Sequence, residues 1–126
     1  MALCIEERLR GKRLFENLFK NGQSFVQPPY RVVWLILTDA GLYPSRFAVS
    51  VPKRRFKRAV KRNLLKRRTR EVFFANKQIL NSAVKEDEQI HLTVIYNSDE
   101  LLPSTDLDAA MKKVLQHIVK KYAESV

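Results

Sequence analysis

Hydrophobic positions change their period several times along this chain, and each change marks an element. In residues 11–20, GKRLFENLFK, Leu14 pairs with Leu18 and Phe15 with Phe19 at a spacing of four. That spacing puts each pair on one face of a helix, and Asn21-Gly22 supplies a C-terminal stop. Pro28-Pro29 then excludes regular helix. From Tyr30 to Thr38 the run YRVVWLILT is β-branched and aromatic, the composition of a strand. It is too continuously apolar for alternation to assign its faces. Asp39-Ala40-Gly41 opens a loop that runs to Pro44. Arg46 to Val51 alternates, with Phe47, Val49 and Val51 on one side and Arg46, Ala48 and Ser50 on the other. This predicts a half-buried strand, paired with the preceding one as an antiparallel hairpin.

Pro52 ends that strand. From Arg55 to Asn76 there is neither Gly nor Pro, and helix formers dominate, which predicts one long helix. Phe56, Val60 and Leu64 fall together on it, while Leu65 and Val72 lie elsewhere. A helix apolar in two places and basic around the rest is clamped between a core and a partner. Further on, Ile90, Leu92, Val94 and Tyr96 alternate with Gln89, His91 and Thr93, a further strand. Thr105 and Asp108 match a capping box. Leu107, Met111, Val114, Leu115, Ile118 and Tyr122 make an amphipathic terminal helix, with Lys120 and Lys121 in its last turn. The expectation is an α+β fold: one domain over residues 1–126, a small sandwich of helices on one sheet, with no repeat and no linker.

Charge changes the picture more than composition does. The 126 residues are 45% hydrophobic with three glycines, enough for a core, and the formal net charge is +11. Eleven of the eighteen residues 53–70 are Lys or Arg, and no acid lies between Asp39 and Glu71. Residues 86–108 invert this, with seven acids and no Lys or Arg. On the long helix Arg58, Arg62, Lys66 and Arg70 recur at spacing four, and Lys57, Lys61 and Arg68 line another face. An ordinary solvated face mixes signs and gains from i,i+4 pairs; here the neighbours repel. Such a density makes sense against a polyanion, where each neutralised phosphate releases a counterion. No helix-turn-helix or zipper is visible. Asn63 amid Arg62, Lys66 and Arg67 suits structured RNA, where phosphate contacts fix the helix and an amide reaches a base or 2′-hydroxyl. Phe15, Phe19, Tyr30 and Trp34 are either stacking surfaces for single-stranded bases or core residues.

Chemistry carried by the protein itself is hard to find. Cys4 is the only cysteine, which excludes an intrachain disulfide and a multi-cysteine zinc site. His117 reads as a surface or boundary residue and His91 as structural or solvated, since neither has a partner at motif spacing. Glu86-Asp87-Glu88 reads as a solvated turn rather than an ion site. No catalytic constellation and no metal site are expected. With no signal-peptide core and no apolar run approaching a bilayer span, the expectation is a soluble cytoplasmic chain without a membrane partner. The residues alone leave open a structural RNA binder, such as a small ribosomal protein, and less favourably a protein-only nuclease using Glu71 or His91.

The run Arg62-Asn63-Leu64-Leu65-Lys66-Arg67-Arg68-Thr69-Arg70-Glu71 resembles the signature of the bacterial ribonuclease P protein subunit: Arg-Asn-Arg-hydrophobic-Lys-Arg, then Arg-Glu or Arg-Gln. Leu14 to Gly22 is similar to that family's first helix, with two phenylalanines four apart and a closing glycine. Phe47 to Arg54, FAVSVPKR, is similar to the strand and basic step before its long helix. Order and spacing agree over roughly residues 8–76. One departure stands out: the second motif arginine is Leu64 here. The resemblance implies the order αβββαβα, a mixed sheet, and the long basic helix in a left-handed βαβ crossover, against the usual hand. It implies an endoribonuclease that removes the 5′ leader of precursor tRNA. Hydrolysis and most Mg²⁺ binding belong to an RNA subunit, and no cofactor is intrinsic to the protein. The implied partners are that RNA and precursor tRNA, with no obligate protein partner. By the same resemblance Arg58, Arg62, Asn63, Lys66, Arg67 and Arg70 face the RNA subunit. Phe15, Phe19, Trp34, Lys53 and Arg54 face the leader, in a cleft between the first helix and the sheet.

Overall fold

A computed structural model of the protein describes residues 7–38 and 43–124; Cys4 and the Asp39-Ala40-Gly41 loop lie outside them. In chain order the elements are α1 (Lys12–Asn21), β1 (Gln23–Gln27), β2 (Tyr30–Leu37), β3 (Ser45–Ser50), α2 (Ala59–Asn76), a short α3 (Gln78–Asn81), β4 (Gln89–Tyr96) and α4 (Ser104–Glu124). This is the expected α+β order, with α3 a four-residue addition behind α2.

The sheet runs β1-β2-β4-β3. β1 turns into β2 across Pro28-Pro29, so that Gln27 faces Tyr30. The expected hairpin between β2 and β3 does not form: β4 lies between them, antiparallel to β2 and parallel to β3. The reason lies in burial. β4 is buried on both faces along all but one of its residues, Ile95, which suits a central strand. The alternating β3, partly exposed toward its end, suits the flank. β3, α2 and β4 therefore form a βαβ unit of neighbouring parallel strands.

One face of the sheet carries Tyr30, Val32, Trp34, Phe47, Leu92 and Val94 against α2 and α4 and holds the main core. Phe47 and Phe73 stack there with ring centroids 4.0 Å apart. The opposite face is covered by α1, where Leu18, Val33 and Leu9 form a second, smaller cluster.

Two sequence expectations for helices need correction. α2 begins at Ala59, not Arg55: Arg55 and Phe56 instead close a turn onto the Pro52 carbonyl. Phe56 packs edge-on to Tyr96 (5.8 Å) off the helix, and Val60 is 79% exposed. The buried seam is Leu65, Thr69, Val72, Phe73 and Asn76. Its polar members escaped an apolar-pattern search because each finds a partner. Thr69 Oγ1 and the Tyr30 hydroxyl lie 2.8 Å apart, and Asn76 Nδ2 donates to the Val72 carbonyl and to Asp108 Oδ1, both at 2.7 Å. That second bond explains the other correction. Asp108 does not close a capping box with Thr105, and α4 already starts at Ser104. The Asp108 carboxyl is held below its ordinary value by the Asn76 amide and then by Lys112.

Gly22 ends α1 for want of space. A Cβ there would sit 2.4 Å from the Leu18 carbonyl oxygen and 2.8 Å from that of Trp34. Its φ of −80° suits any residue, so close approach alone requires glycine. Gly22→Ala is expected to lower stability by about 1–3 kcal/mol, since backbone on both sides must move. A thermal melt within 1 °C of wild type, a margin of about 0.2 kcal/mol for this size, contradicts it.

Candidate RNA interface

α2 lies with its seam on the sheet and displays its cations in three directions. Arg62, Lys66 and Arg70 flank the seam on one side, Lys61 and Arg68 on the other, and Asn63, Leu64 and Arg67 point away from the core, as the helical angle of 100° per residue requires. Several basic side chains are already engaged. Arg62 donates to the Phe56 and Lys57 carbonyls, 2.8 Å each, and so ties the turn before α2 to its first turns. Arg68 donates to the Leu102 carbonyl at 2.8 Å. Arg55 reaches Asp99 and Asn97 at 2.9 and 2.8 Å. Arg67 sits 3.9 Å from Glu71, an exposed pair of little energetic weight. Among the described residues Lys57, Arg58, Lys61, Lys66 and Arg70 form no salt bridge. Their charges remain available to an anion.

Leu64 belongs to neither core cluster. With exposed Val60 it forms an apolar strip beside Asn63 and Arg67, around a shallow cavity of 420 Å³. The position where the family signature has arginine thus faces outward and does not repack inward.

The other half of the candidate interface is built on α1. Phe15 is partly buried and Phe19 54% exposed, their rings 6.4 Å apart and inclined by 20°. Lys53 and Arg54 are exposed in the turn after β3. Trp34 is a correction: it is 1% exposed and packs in the main core, so it offers no ring face to a base. Tyr30 is likewise fully buried, and desolvation pushes its phenol well above the usual range. β2 places both on the face that α2 and α4 cover, an assignment that the continuously apolar run did not reveal.

Phe15 also lines a 390 Å³ groove with Arg8, Arg10 and Arg70. Arg70, assigned by resemblance to the RNA subunit, therefore opens onto the same space as an aromatic assigned to the leader. Arg8 and Arg10 were missed. The segment runs beside β3, bridging Arg8 to Phe47 and donating the Leu9 N–H to the Phe47 carbonyl at 3.0 Å. Leu9 is buried between two exposed arginines, and the short alternation Arg-Leu-Arg was the available signal. Lys77 pairs with Glu7 at 2.7 Å and anchors the start of this segment to α2's end.

Glu71 and His91 do not share a site: Glu71 is exposed on α2 and His91 is buried on the opposite sheet face, toward α1. His117 stacks on Phe25 at 3.9 Å at the boundary, as expected. Among the described residues no group of three or more His, Cys, Asp or Glu is placed to hold a metal ion. Burial, with Arg46 second, lowers the His91 pKa to about 4. An unfolded histidine near 6.5 takes up a proton that the folded one refuses, so stability is expected to fall as pH drops from 6.5 toward 4, by roughly 3 kcal/mol in total. His91→Gln removes that slope. Parallel stability–pH curves for the two proteins in this window contradict it.

Comparison with known proteins agrees with this architecture. The family model described as Ribonuclease P matches residues 4–119. A Porphyromonas gingivalis protein named ribonuclease P protein component is 40% identical over 119 residues, 93% of this chain and 86% of the other. A Thermotoga maritima protein of the same name is 45% identical over 74 residues, 59% of this chain and 60% of its own. Among solved structures, the Thermotoga maritima RNase P protein superposes with a TM-score of 0.70 at 25% identity, covering 88% of this chain and 96% of that one. The Staphylococcus aureus RNase P protein gives 0.70 at 21% identity, over 89% and 94%, a likeness of fold. No helix among the described residues is long and apolar enough to cross a membrane. With the family match spanning nearly the whole chain and the fold in agreement, the protein belongs to the ribonuclease P protein family.

Proposed function

We propose that the chain is the protein subunit of a ribonuclease P ribonucleoprotein, which binds the catalytic RNA and the 5′ leader of precursor tRNA and promotes removal of the leader. The observation that carries this is the set of cations on and before α2 with no acidic partner, Lys57, Arg58, Lys61, Lys66 and Arg70. Folded RNA is the polyanion that relieves their mutual repulsion. Hydrolysis and its Mg²⁺ rest with the RNA in this reading, and the protein contributes positioning and charge neutralisation. Arg58, Lys66, Arg70, Asn63 and Arg67 face the RNA subunit. Arg62 joins them with one nitrogen already committed to backbone carbonyls. Phe15, Phe19, Lys53 and Arg54 face the leader, with precursor tRNA as substrate, no obligate protein partner and a cytoplasmic setting.

The test is reconstitution. Purified protein is added to the cognate RNA subunit at low Mg²⁺, and precursor tRNA cleavage is measured. A rise in rate or substrate affinity is expected; none refutes the reading. Phe19 separates the leader role from the rest. Its exposure makes Phe19→Ala harmless to folding, while loss of a base-stacking surface is expected to cost about 1–3 kcal/mol of leader-dependent affinity. An unchanged preference for leader-bearing over leaderless substrate contradicts that role.

A further inference from the structure

α1 has two flanks, and only one is used by the reading above. Phe15 and Phe19 share one flank. Arg13 and Asn17, also four apart, lie about 200° around the helix from them. On that second flank is a cavity of about 600 Å³ between α1 and the strand ends. Arg13, Leu14 and Asn17 form its α1 side, and Leu37, Arg46, Gln89 and His91 its sheet side.

The polar groups of this cavity are unusual. His91 is 3% exposed, yet its Nδ1 has no hydrogen-bond partner, and neither does the buried Nε of Arg46, its neighbour across the parallel strands. Unpaired buried polar atoms are rare in folded proteins and call for a specific cause. Their protonation follows from the surrounding bonds. Gln89 Nε2 donates to the Tyr43 carbonyl at 2.7 Å, which turns Gln89 Oε1 toward His91 Nε2, 2.9 Å away. An amide oxygen only accepts, so Nε2 carries the imidazole proton. In the neutral ring Nδ1 is then a bare acceptor. On the neighbouring strand, Arg46 Nε–H is an unused donor that lines the same cavity.

We infer that this cavity is a second nucleotide subsite, which takes an unstacked base of bound RNA with its edge on His91 Nδ1 and Arg46 Nε–H and its phosphate toward Arg13. The inference rests on the RNA-binding reading and extends it to the other side of α1. A free acceptor and a free donor on neighbouring strands of one cavity match the edge common to all four bases, an N–H beside a ring nitrogen or carbonyl oxygen. A backbone phosphodiester offers no match to His91 Nδ1, because it carries no hydrogen to donate and its oxygens only accept. Leu14 and Leu37 supply apolar walls for a ring. Arg13 is exposed near the N-terminus of α1, whose first turn holds no acid, a setting that favours an anion. Asn17 accepts from Asn21 through Oδ1 at 2.6 Å, which leaves its amide hydrogens for a ligand. Arg46 is only partly buried, and its long stem can turn to admit the base.

The test reads His91 directly. The full chain, ¹⁵N-labelled at histidine, is titrated with 5′-AMP, with a single-stranded adenosine hexamer and with inorganic phosphate, and the Nδ1 resonance is followed by NMR. Saturable movement of Nδ1 is expected with AMP and with the hexamer, tighter for the hexamer, and none with phosphate alone. Arg13→Gln, an exposed change that leaves the core intact, is expected to weaken the hexamer-induced shift about tenfold, whereas Lys113→Gln, the same loss of charge at an exposed position of α4, leaves it in place. Movement with AMP but not the hexamer overturns an RNA strand as the occupant. Equal movement with phosphate reduces the cavity to an anion site and overturns the nucleotide assignment. An unmoved Nδ1 in all three titrations, or a shift weakened as much by Lys113→Gln as by Arg13→Gln, overturns the subsite. Because no RNA subunit is present, failure here is distinct from failure of the reconstitution.

Discussion

Replacing Arg58, Lys66 and Arg70 together by glutamine is expected to weaken binding to the RNA subunit on the order of 10² to 10³ at about 0.1 M salt, and to flatten the slope of log K against log salt by about two to three. These three form no salt bridge among the described residues, so their loss removes positive charge without breaking an ion pair. Folding is expected to be kept or improved, because like charges are removed from a crowded helix. Filter binding across a salt series, with a thermal melt alongside, checks both halves. An unchanged slope means that these cations do not meet phosphate, and the α2 interface is then lost as an idea. Arg62 provides the contrast. Arg62→Ala removes a cation and also two hydrogen bonds to the Phe56 and Lys57 carbonyls. It is therefore expected to weaken RNA binding and to loosen the turn before α2, and a single-site loss there does not isolate charge.

The largest expected effect on stability is at Phe73. It is 1% exposed and stacks on Phe47 at 4.0 Å and 4°, joining α2 to the middle of the core. Phe73→Ala is expected to cost about 3–5 kcal/mol, the transfer of a ring plus the cavity it leaves. Against a usual total of about 5–15 kcal/mol this takes away much of the margin. Urea denaturation checks it directly. RNA that binds only the folded chain is expected to restore part of the loss by mass action. A loss under about 1 kcal/mol indicates that the site collapses around the gap, against the stacked geometry.

How legible the site was depended on what kind of signal each part carries. The basic surface of α2 is written in charge, and charge is read without knowing the fold: lysines and arginines avoid the interior wherever the helix packs. Spacing put Phe15 and Phe19 on one face of a helix, and both do lie together on α1, Phe15 partly buried and Phe19 exposed. Trp34 and Tyr30 were offered beside them as aromatic stacking surfaces and lie in the core, since an aromatic in an unbroken apolar strand carries no mark of its face. Thr69 and Asn76 were overlooked as seam residues because their fitness for burial lies in partners, Tyr30 and Asp108, that are 39 and 32 residues away. The cavity with Arg13, Arg46 and His91 was not visible either, for it joins residues from four elements.

By itself the sequence determined the kind of protein this is. Period-four and period-two spacing set out most helices and strands, the concentration of positive charge named a polyanion as partner, and the signature from Arg62 to Glu71 pointed to the family. Only the tertiary structure decided that β4 inserts between β2 and β3, which aromatics stay exposed, which arginines are already bonded to carbonyls, and which flank of α1 opens onto unpaired buried groups. The division has a physical cause. Local spacing and net charge are properties of neighbours along the chain, whereas strand order, burial and hydrogen-bond satisfaction are settled by contacts between distant residues, which compete for the same few positions in the core.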